Sequence, residues 1–236
     1  MSAAPWQDRS VKGFLFDIDG TLANTDPTHF EVFQELLLKE PSINGGKPID
    51  EAFFRSKIAG RQNLLIMKDL FPSWTKEKAA AWSLTKEARF REVAAATMVK
   101  KTTAGLPRLI DFIQAKQMQA CAVTNAPRVN AEAILEGIGF ADFFGERLII
   151  GDECERAKPD PLPYRLGAAA IGVAPEDCVV FEDSPAGAVA GKAAGAVVVG
   201  ILSGQSWDAL EAAGCDLIVG DMEDEALWRF LERATS

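Results

Sequence analysis

Two aspartates flank one isoleucine near the start of the chain, in the segment Asp17-Ile18-Asp19-Gly20-Thr21. They come directly after an apolar run, and carboxylates at the end of a buried strand are costly unless a cation or hydrogen bonds stabilise them. Mg²⁺ prefers carboxylate oxygen ligands. Gly20 permits a sharp turn, and Thr21 offers a hydroxyl and a backbone N–H to an anion. The segment therefore predicts a magnesium site beside a bound anion.

Three further positions resemble the first in their setting, because polar side chains follow an apolar run. Thr124 and Asn125 follow residues 120–123, and Glu182 and Asp183 form a second acidic pair after residues 178–181. Lys158 stands before a proline, which favours an extended backbone at the lysine. Four separate strand ends would thus bring an aspartate, a threonine, a lysine and a second aspartate to one place.

This set of groups suits phosphoryl transfer, in which catalysis is mostly positioning and charge neutralisation. Magnesium between Asp17 and Asp183 would offset the repulsion between a carboxylate nucleophile and a phosphate dianion, and Lys158 would add positive charge. Carboxylates form aspartyl phosphates, and a second acid can protonate the leaving oxygen and later activate water. We expect Asp17 to be the nucleophile and Asp19 the second acid.

Short apolar runs and helical segments alternate along most of the chain. The predicted strands are residues 11–16, 120–123, 148–150, 178–181, 196–199 and 217–219, and the intervening helices include residues 106–117, 128–136, 164–170 and 186–194. This alternation predicts an α/β fold, with a parallel sheet covered on both faces and a site at the carboxyl ends of its strands.

One stretch, from about residue 26 to about residue 101, interrupts the alternation. It has helical patterning, strongest at residues 30–38 and 76–99, and no convincing strand. A helical insert directly after the first strand predicts a cap that closes over the site. The alternative is a helical bundle without a functional role.

Composition narrows the class of partner and the cellular compartment. The chain has 236 residues, 48% of them hydrophobic and 25% charged, with a formal charge of −9, which argues against a nucleic-acid partner. Its four cysteines form no Cys-x-x-Cys pair and predict free thiols in a reducing compartment. There is no apolar run of about 18 residues. We expect a cytoplasmic monomer without a membrane partner, acting on a small phosphorylated molecule.

The four polar positions resemble, in order and spacing, the motifs of the haloacid dehalogenase-like superfamily. Residues 17–21 resemble its first motif, Thr124 the second, Lys158 the third and the pair Glu182-Asp183 the fourth. The resemblance implies a Rossmann-like doubly wound core, residues 1–24 and 102–236, with an all-helical C1-type cap at residues 25–101. It also implies that Thr124 and Lys158 bind phosphate. Mg²⁺ would be held by Asp17, the Asp19 carbonyl and Asp183, with Glu182 as a ligand or as the partner of one.

Within that superfamily the chain is most similar to the plant-type sugar-phosphate phosphatases, through residues 25–29, 48–51, 58–63, 124–127 and 151–155. Similarity to β-phosphoglucomutase comes next. These resemblances make His29, Arg61, Lys86 and Asn125 candidates for substrate binding. A surface histidine with no role is the alternative for His29.

Several other functions fit the residues less well. A mutase shares the core motifs, but Ala126 and Arg128 stand where β-phosphoglucomutase has Ser and Asn. A dehalogenase has no leaving oxygen for Asp19 to protonate, and an inert relative would usually lack the nucleophile or the lysine.

Two further motifs, those of a P-loop and of a Ser-His-Asp hydrolase, are incomplete in this sequence. The segment from Gly187 to Ala193 is one residue short of a P-loop and lacks its Ser or Thr. We expect glycines 187, 191 and 195 to let a helix pack closely on the sheet. With one histidine and no Gly-x-Ser-x-Gly, a Ser-His-Asp hydrolase is poorly supported.

Overall fold

The computed structural model describes residues 9–95 and 97–235. Residues 1–8 of the predicted core, residue 96 of the predicted helix 76–99 and residue 236 lie outside the described residues. The described part contains one six-stranded, wholly parallel sheet in the order β3-β2-β1-β4-β5-β6. Its strands are β1 (Gly13–Phe16), β2 (Gln119–Thr124), β3 (Leu148–Ile150), β4 (Cys178–Glu182), β5 (Val197–Ile201) and β6 (Leu217–Val219).

Helices precede or follow every strand. They are α1 (Asp26–Leu37), α2 (Glu51–Lys57), α3 (Asn63–Leu70), α4 (Lys76–Ala95), α5 (Leu106–Ala115), α6 (Arg128–Gly137), α7 (Ala141–Phe144), α8 (Leu162–Ala170), α9 (Pro185–Ala194), α10 (Trp207–Ala212) and α11 (Glu225–Ala234). The α/β fold with a parallel sheet, predicted from the alternation of apolar runs and helical segments, is confirmed.

The sheet is buried on both faces because successive side chains of each strand point to opposite sides. In β1, Phe14 and Phe16 join an apolar cluster with α5, α6 and α11, whereas Leu15 joins a second cluster with α8 and α9. All three side chains are fully buried. Such two-sided burial explains why the strands appear in the sequence as continuous apolar runs.

The segment between β1 and α5 has a core of its own. Helices α1 to α4 lie here, and residues 26–95 and 97–101 contain no strand. Apolar side chains between residues 30 and 82 form a third cluster that includes Phe33, Ile49, Phe54, Met67 and Phe71, and Trp82 packs against both this cluster and the first one. The predicted helix 76–99 ends at Ala95 and is followed by a 3₁₀ turn at Met98–Lys101.

The described residues also show the character of the helices and the state of the cysteines. None of the helices there has the length and apolar character needed to cross a bilayer. All four cysteines are free thiols, with Cys121 and Cys178 buried and Cys154 and Cys215 partly buried.

Two of the three glycines around α9 pack as expected. A Cβ on Gly187 would overlap the Glu182 carboxylate, and one on Gly191 would come within 2.9 Å of Val198. The expectation is wrong for Gly195, which has no neighbour within 4 Å of such an atom. It ends the helix in the left-handed conformation, at φ +98°, that favours glycine after a helix.

The glycines of α9 generate a prediction about stability. Gly187→Ala should lower the free energy of unfolding more than Gly191→Ala, by about 1–3 kcal/mol, because overpacking at residue 187 displaces a hydrogen-bonded carboxylate. At residue 191 the neighbours are valine side chains that can shift, and alanine is the better helix former. Urea denaturation of both variants measures the difference. Equal losses would contradict the close packing of α9 on Glu182.

Candidate active site

The carboxyl ends of β2, β1 and β4 are neighbours in the sheet, and the predicted polar residues lie at this edge. Asp17 directly follows β1, Thr124 is the last residue of β2, and Glu182 is the last residue of β4. The Asp17 amide donates to the Phe181 carbonyl at 3.0 Å, which continues the pairing of β1 with β4. Parallel pairing alone thus brings together residues that are far apart in the sequence.

Lys158 connects two of these strand ends. Its ammonium lies 2.7 Å from Asp17 Oδ1 and 2.7 Å from Glu182 Oε1, and only 3% of its side chain is exposed. Asn125 holds the lysine backbone, since its Nδ2 donates to the Lys158 carbonyl at 3.2 Å and its Oδ1 accepts from the Lys158 amide at 3.3 Å. Lys158 is therefore held in place at both its backbone and its ammonium group.

Negative charge exceeds positive charge at this edge. Oxygens of Asp17, Glu182 and Asp183 lie within 4.8 Å of one another, and Lys158 is the ammonium between them. Burial raises the pKa of Asp17 to about 8 even though Lys158 acts against it. Burial and the charge of Asp17 raise the pKa of Asp183 well above its usual range. Burial lowers the pKa of Lys158, but its two acidic partners outweigh that effect and raise it overall.

The three carboxylates are not equally available to a cation. Glu182 accepts hydrogen bonds from Lys158 and Tyr164 on one oxygen, both at 2.7 Å. Its other oxygen accepts from the Asp183 amide, the Ser184 amide and the Ser184 hydroxyl at 3.0–3.2 Å. Five donors saturate a carboxylate, which has about four lone-pair positions.

Asp17 and Asp183 retain free acceptor positions. Among the described residues, Asp17 Oδ2 has no hydrogen-bond partner, and Asp183 has only the Ser203 hydroxyl, at 3.3 Å. Two buried carboxylates with free oxygens and excess negative charge fit a hard divalent cation. Glu182 instead positions Lys158.

Asp19 belongs to a second chain of contacts. Its Oδ1 accepts from the Thr25 hydroxyl at 2.7 Å and lies 2.9 Å from His29 Nε2. Burial raises the pKa of Asp19, but the contacts with His29 and Thr25 outweigh it and hold the value below the usual range. The other ring nitrogen of His29 lies 3.0 Å from Lys86 Nζ, and the ring stacks on Phe90 at 4.1 Å between centroids. The alternative that His29 is a surface histidine with no role is therefore wrong.

Helices α1 to α4 supply the other wall of a cavity that opens onto Asp17 and Asp19. Arg61 and Lys86 line it, as do Thr124, Asn125 and Lys158. Arg61 is paired with Asp69 at 2.5 Å, and Lys86 is paired with Glu87 at 2.9 Å. All three predicted residues of the segment 25–101, His29, Arg61 and Lys86, thus reach the cavity, and Arg61 and Lys86 each have an acidic partner.

Thr21 does not reach this cavity. The residue is fully buried, its amide donates to the Ile18 carbonyl at 3.2 Å, and its hydroxyl has no partner in the described part of the chain. The structure therefore does not place Thr21 where it could contact a bound anion. The tight turn after Asp19 directs it into the core instead.

Sequence reasoning missed four residues that hold the site together. Tyr164 donates to Glu182, Thr25 donates to Asp19, and Asn63 and Asn130 both donate to Glu87. Thr25 and Asn63 lie in the stretches 25–29 and 58–63 that already resemble the sugar-phosphate phosphatases, so their positions could have signalled them. Tyr164 and Asn130 meet their partners only through tertiary packing and left no local signal.

Comparisons with known proteins agree with this geometry. A family model described as haloacid dehalogenase-like hydrolase matches residues 11–195. The chain is 31% identical to validoxylamine A 7'-phosphate phosphatase of Streptomyces hygroscopicus subsp. limoneus, over 89% of the chain and 93% of that protein. It is 28% identical to a phosphorylated carbohydrates phosphatase of Thermotoga maritima, over 78% of the chain and 82% of that protein.

The fold is also that of a solved β-phosphoglucomutase from Clostridium difficile. The TM-score is 0.79 at 21% identity, over 94% of the chain and 98% of the solved chain. At this identity the likeness concerns the fold alone.

Proposed function

The chain belongs to the haloacid dehalogenase-like hydrolases, and we propose that it hydrolyses phosphate monoesters of small sugars and polyols, with broad specificity, through an aspartyl phosphate. The observation that carries the proposal is the buried ammonium of Lys158, 2.7 Å from the Asp17 carboxylate. A carboxylate nucleophile needs fixed positive charge beside it before it can approach a phosphate dianion. The two curated relatives named above are a validoxylamine A 7'-phosphate phosphatase and a phosphorylated carbohydrates phosphatase, which supports this substrate class.

In the first half-reaction an Asp17 oxygen attacks phosphorus, and the bond from phosphorus to the sugar oxygen breaks. Asp19 donates a proton to that leaving oxygen. Because the contacts with His29 and Thr25 favour its ionised form in the free enzyme, this step requires Asp19 to be protonated when the substrate dianion is bound beside it. The Thr124 hydroxyl oxygen accepts from the Ala126 amide at 2.9 Å, so its hydrogen is free to bond a phosphate oxygen. Lys158 neutralises part of the charge on the transferred group.

In the second half-reaction the same groups exchange roles. Asp19 takes a proton from water, the water oxygen attacks phosphorus, and the bond to Asp17 breaks to release inorganic phosphate. His29 and Thr25 orient the Asp19 carboxylate for both transfers. Asp19 ends the cycle protonated, which is the form that the first half-reaction requires.

Asp17, Asp183 and the Asp19 carbonyl would hold the divalent cation, which we propose is Mg²⁺. When bound, it supplies the positive charge that offsets the excess of buried carboxylates and the charge of the phosphate. The sequence suggested Glu182 as a ligand or as the partner of one, whereas we propose that it positions Lys158.

We propose further that residues 25–101 act as a cap over a core of residues 1–24 and 102–236. Support comes from polar contacts between the two parts at the cavity: Gln62 donates to Asp152 at 2.9 Å, and Asn130 donates to Glu87. A cap that closes on the site excludes bulk water from the first half-reaction.

Hydrolysis is favoured over a mutase reaction by the charges on the cap side. A mutase has to hold a second phosphate while the first is at Asp17, which calls for free cations. Arg61 and Lys86 both have acidic partners, and Arg128 forms a bidentate pair with Glu153 outside the cavity wall.

The nucleophile and the acid can be tested by substitution. Asp17→Asn should abolish release of inorganic phosphate, because an amide is a poor nucleophile, and Asp19→Ala should lower kcat by roughly 10²-fold or more. Asp177→Asn, at an exposed ion pair with Lys12, is the matched control and should keep full activity. Activity in purified Asp17→Asn at the wild-type level would exclude the mechanism.

The cation can be tested by its effect on stability. Mg²⁺ should raise the melting temperature of the wild type in a concentration-dependent way, since a ligand that binds only the folded state stabilises it. Asp183→Asn should remove this shift. Glu182→Gln should retain it, with affinity weakened by no more than about 10- to 100-fold, while losing activity. Loss of the shift in Glu182→Gln would make Glu182 a direct ligand.

The products distinguish the two activities. With Mg²⁺ present, β-glucose 1-phosphate should yield glucose and inorganic phosphate. Stoichiometric formation of glucose 6-phosphate, with little phosphate released, would instead identify a mutase. Chromatography of the sugar products together with a phosphate assay provides the measurement.

A further inference from the structure

Glu87 is a buried acid that lines the same cavity as Asp17, and the proposed mechanism does not use it. Only 6% of the residue is exposed. Its Oε1 accepts from Lys86 Nζ at 2.9 Å and from Asn63 Nδ2, and its Oε2 accepts from Asn130 Nδ2. Asn63 comes from the cap side and Asn130 from the core side, so the carboxylate joins the two.

This carboxylate stays ionised and neutralises the adjacent lysine. Although burial acts to raise the pKa of Glu87, the charge of Lys86 and the hydrogen bonds from Lys86 and Asn63 favour the carboxylate, and the pKa lies below the usual range. The Lys86 ammonium therefore faces the cavity as half of an ion pair. It offers little attraction to an additional anion.

The rest of the wall has the same character. Five carboxylates line the cavity against three cationic side chains, and each cation has an acidic partner. Lys158 serves the reacting phosphate, which leaves the Arg61–Asp69 and Lys86–Glu87 pairs around the remainder of a substrate. Net charge on that side is not positive.

Hydrogen-bonding capacity remains on this wall. Among the described residues, Glu87 Oε2 accepts a single hydrogen bond and the Asn63 side-chain oxygen accepts none. Both atoms are acceptors, and a carboxylate oxygen can accept two hydrogen bonds. Hydroxyl groups donate to such acceptors, whereas carboxylate and phosphate groups at neutral pH bring only further negative charge.

We propose that Glu87 is a specificity-determining residue that selects phosphate esters of neutral polyols and rejects esters whose leaving group carries a second anion. The proposal rests on the proposed phosphatase function and specifies its substrate class. Discrimination arises from repulsion between Glu87 and an anionic leaving group, and from hydroxyl hydrogen bonds that an anion cannot make.

Two linear substrates that differ in one group provide the test. Glucitol 6-phosphate ends in a CH₂OH group, and gluconate 6-phosphate ends in a carboxylate at the same carbon. We expect the wild type to favour the glucitol ester in kcat/KM. In Glu87→Gln, which keeps the shape and removes the charge, the ratio of the two kcat/KM values should fall by about tenfold or more. The change should appear mainly in KM, because Glu87 contacts the leaving group and not the reacting atoms.

Two more variants complete the design. Glu35→Gln removes one negative charge from an exposed ion pair with Arg89 on the same group of helices and should leave the ratio unchanged. Asp69→Asn releases Arg61 from its partner at a half-exposed position and should shift the ratio in the same direction as Glu87→Gln. It therefore tests the charge argument even if Glu87→Gln fails to fold.

The outcomes separate this inference from the function on which it rests. If phosphate is released but the ratio stays the same in both Glu87→Gln and Asp69→Asn, selection by Glu87 is wrong and the phosphatase stands. An equal loss on both substrates in Glu87→Gln would assign the residue a structural role only. If the wild type releases phosphate from neither ester nor from β-glucose 1-phosphate, both the phosphatase proposal and the inference about Glu87 are wrong.

Discussion

The site depends on an imbalance of charge: three buried carboxylates at one edge of a parallel sheet share a single buried ammonium. Asp17, Glu182 and Asp183 are brought together by strand pairing, and Lys158 lies between two of them. In a low-dielectric environment an uncompensated carboxylate is expensive. The sheet supports this arrangement because its core is buried on both faces, so its strand ends are fixed in position. A divalent cation and a phosphate that binds to it would complete the charge balance.

The acidic residues of the site have different roles because their hydrogen-bond partners differ. Glu182 has donors on both oxygens and therefore holds Lys158, whereas Asp17 and Asp183 keep oxygens free. Asp19 is separated from this group by its own partners, Thr25 and His29. Two aspartates only two residues apart thus have different environments. Burial raises the pKa of Asp17, and the contacts of Asp19 lower its pKa, so the proposed roles require a bound cation that keeps Asp17 ionised and a substrate dianion that favours protonation of Asp19.

Much of this arrangement was predictable from the sequence. Strand positions followed from continuous apolar runs, and the polar residues at their ends followed from the rule that parallel strands present their carboxyl ends at one edge. Thr21 was wrongly expected at the anion because spacing alone does not reveal which way a side chain leaves a tight turn. The ion pairs of Arg61 with Asp69 and of Lys86 with Glu87 were also missed. The sequence does not show whether a lysine is paired with an acidic residue, because the pairing forms only when the helices pack.

The proposed mechanism requires Asp17 to become covalently phosphorylated, and chemical trapping can detect the phosphorylated residue. Asp19→Ala, in which hydrolysis of the intermediate should be slow, would be mixed with β-glucose 1-phosphate and Mg²⁺, denatured, and reduced with borohydride. Reduction converts an aspartyl phosphate to homoserine, which peptide mass spectrometry can locate. We expect homoserine at residue 17, dependent on both substrate and Mg²⁺. Homoserine at another aspartate, or an unmodified Asp17 in wild-type and variant enzyme that both release phosphate, would contradict it.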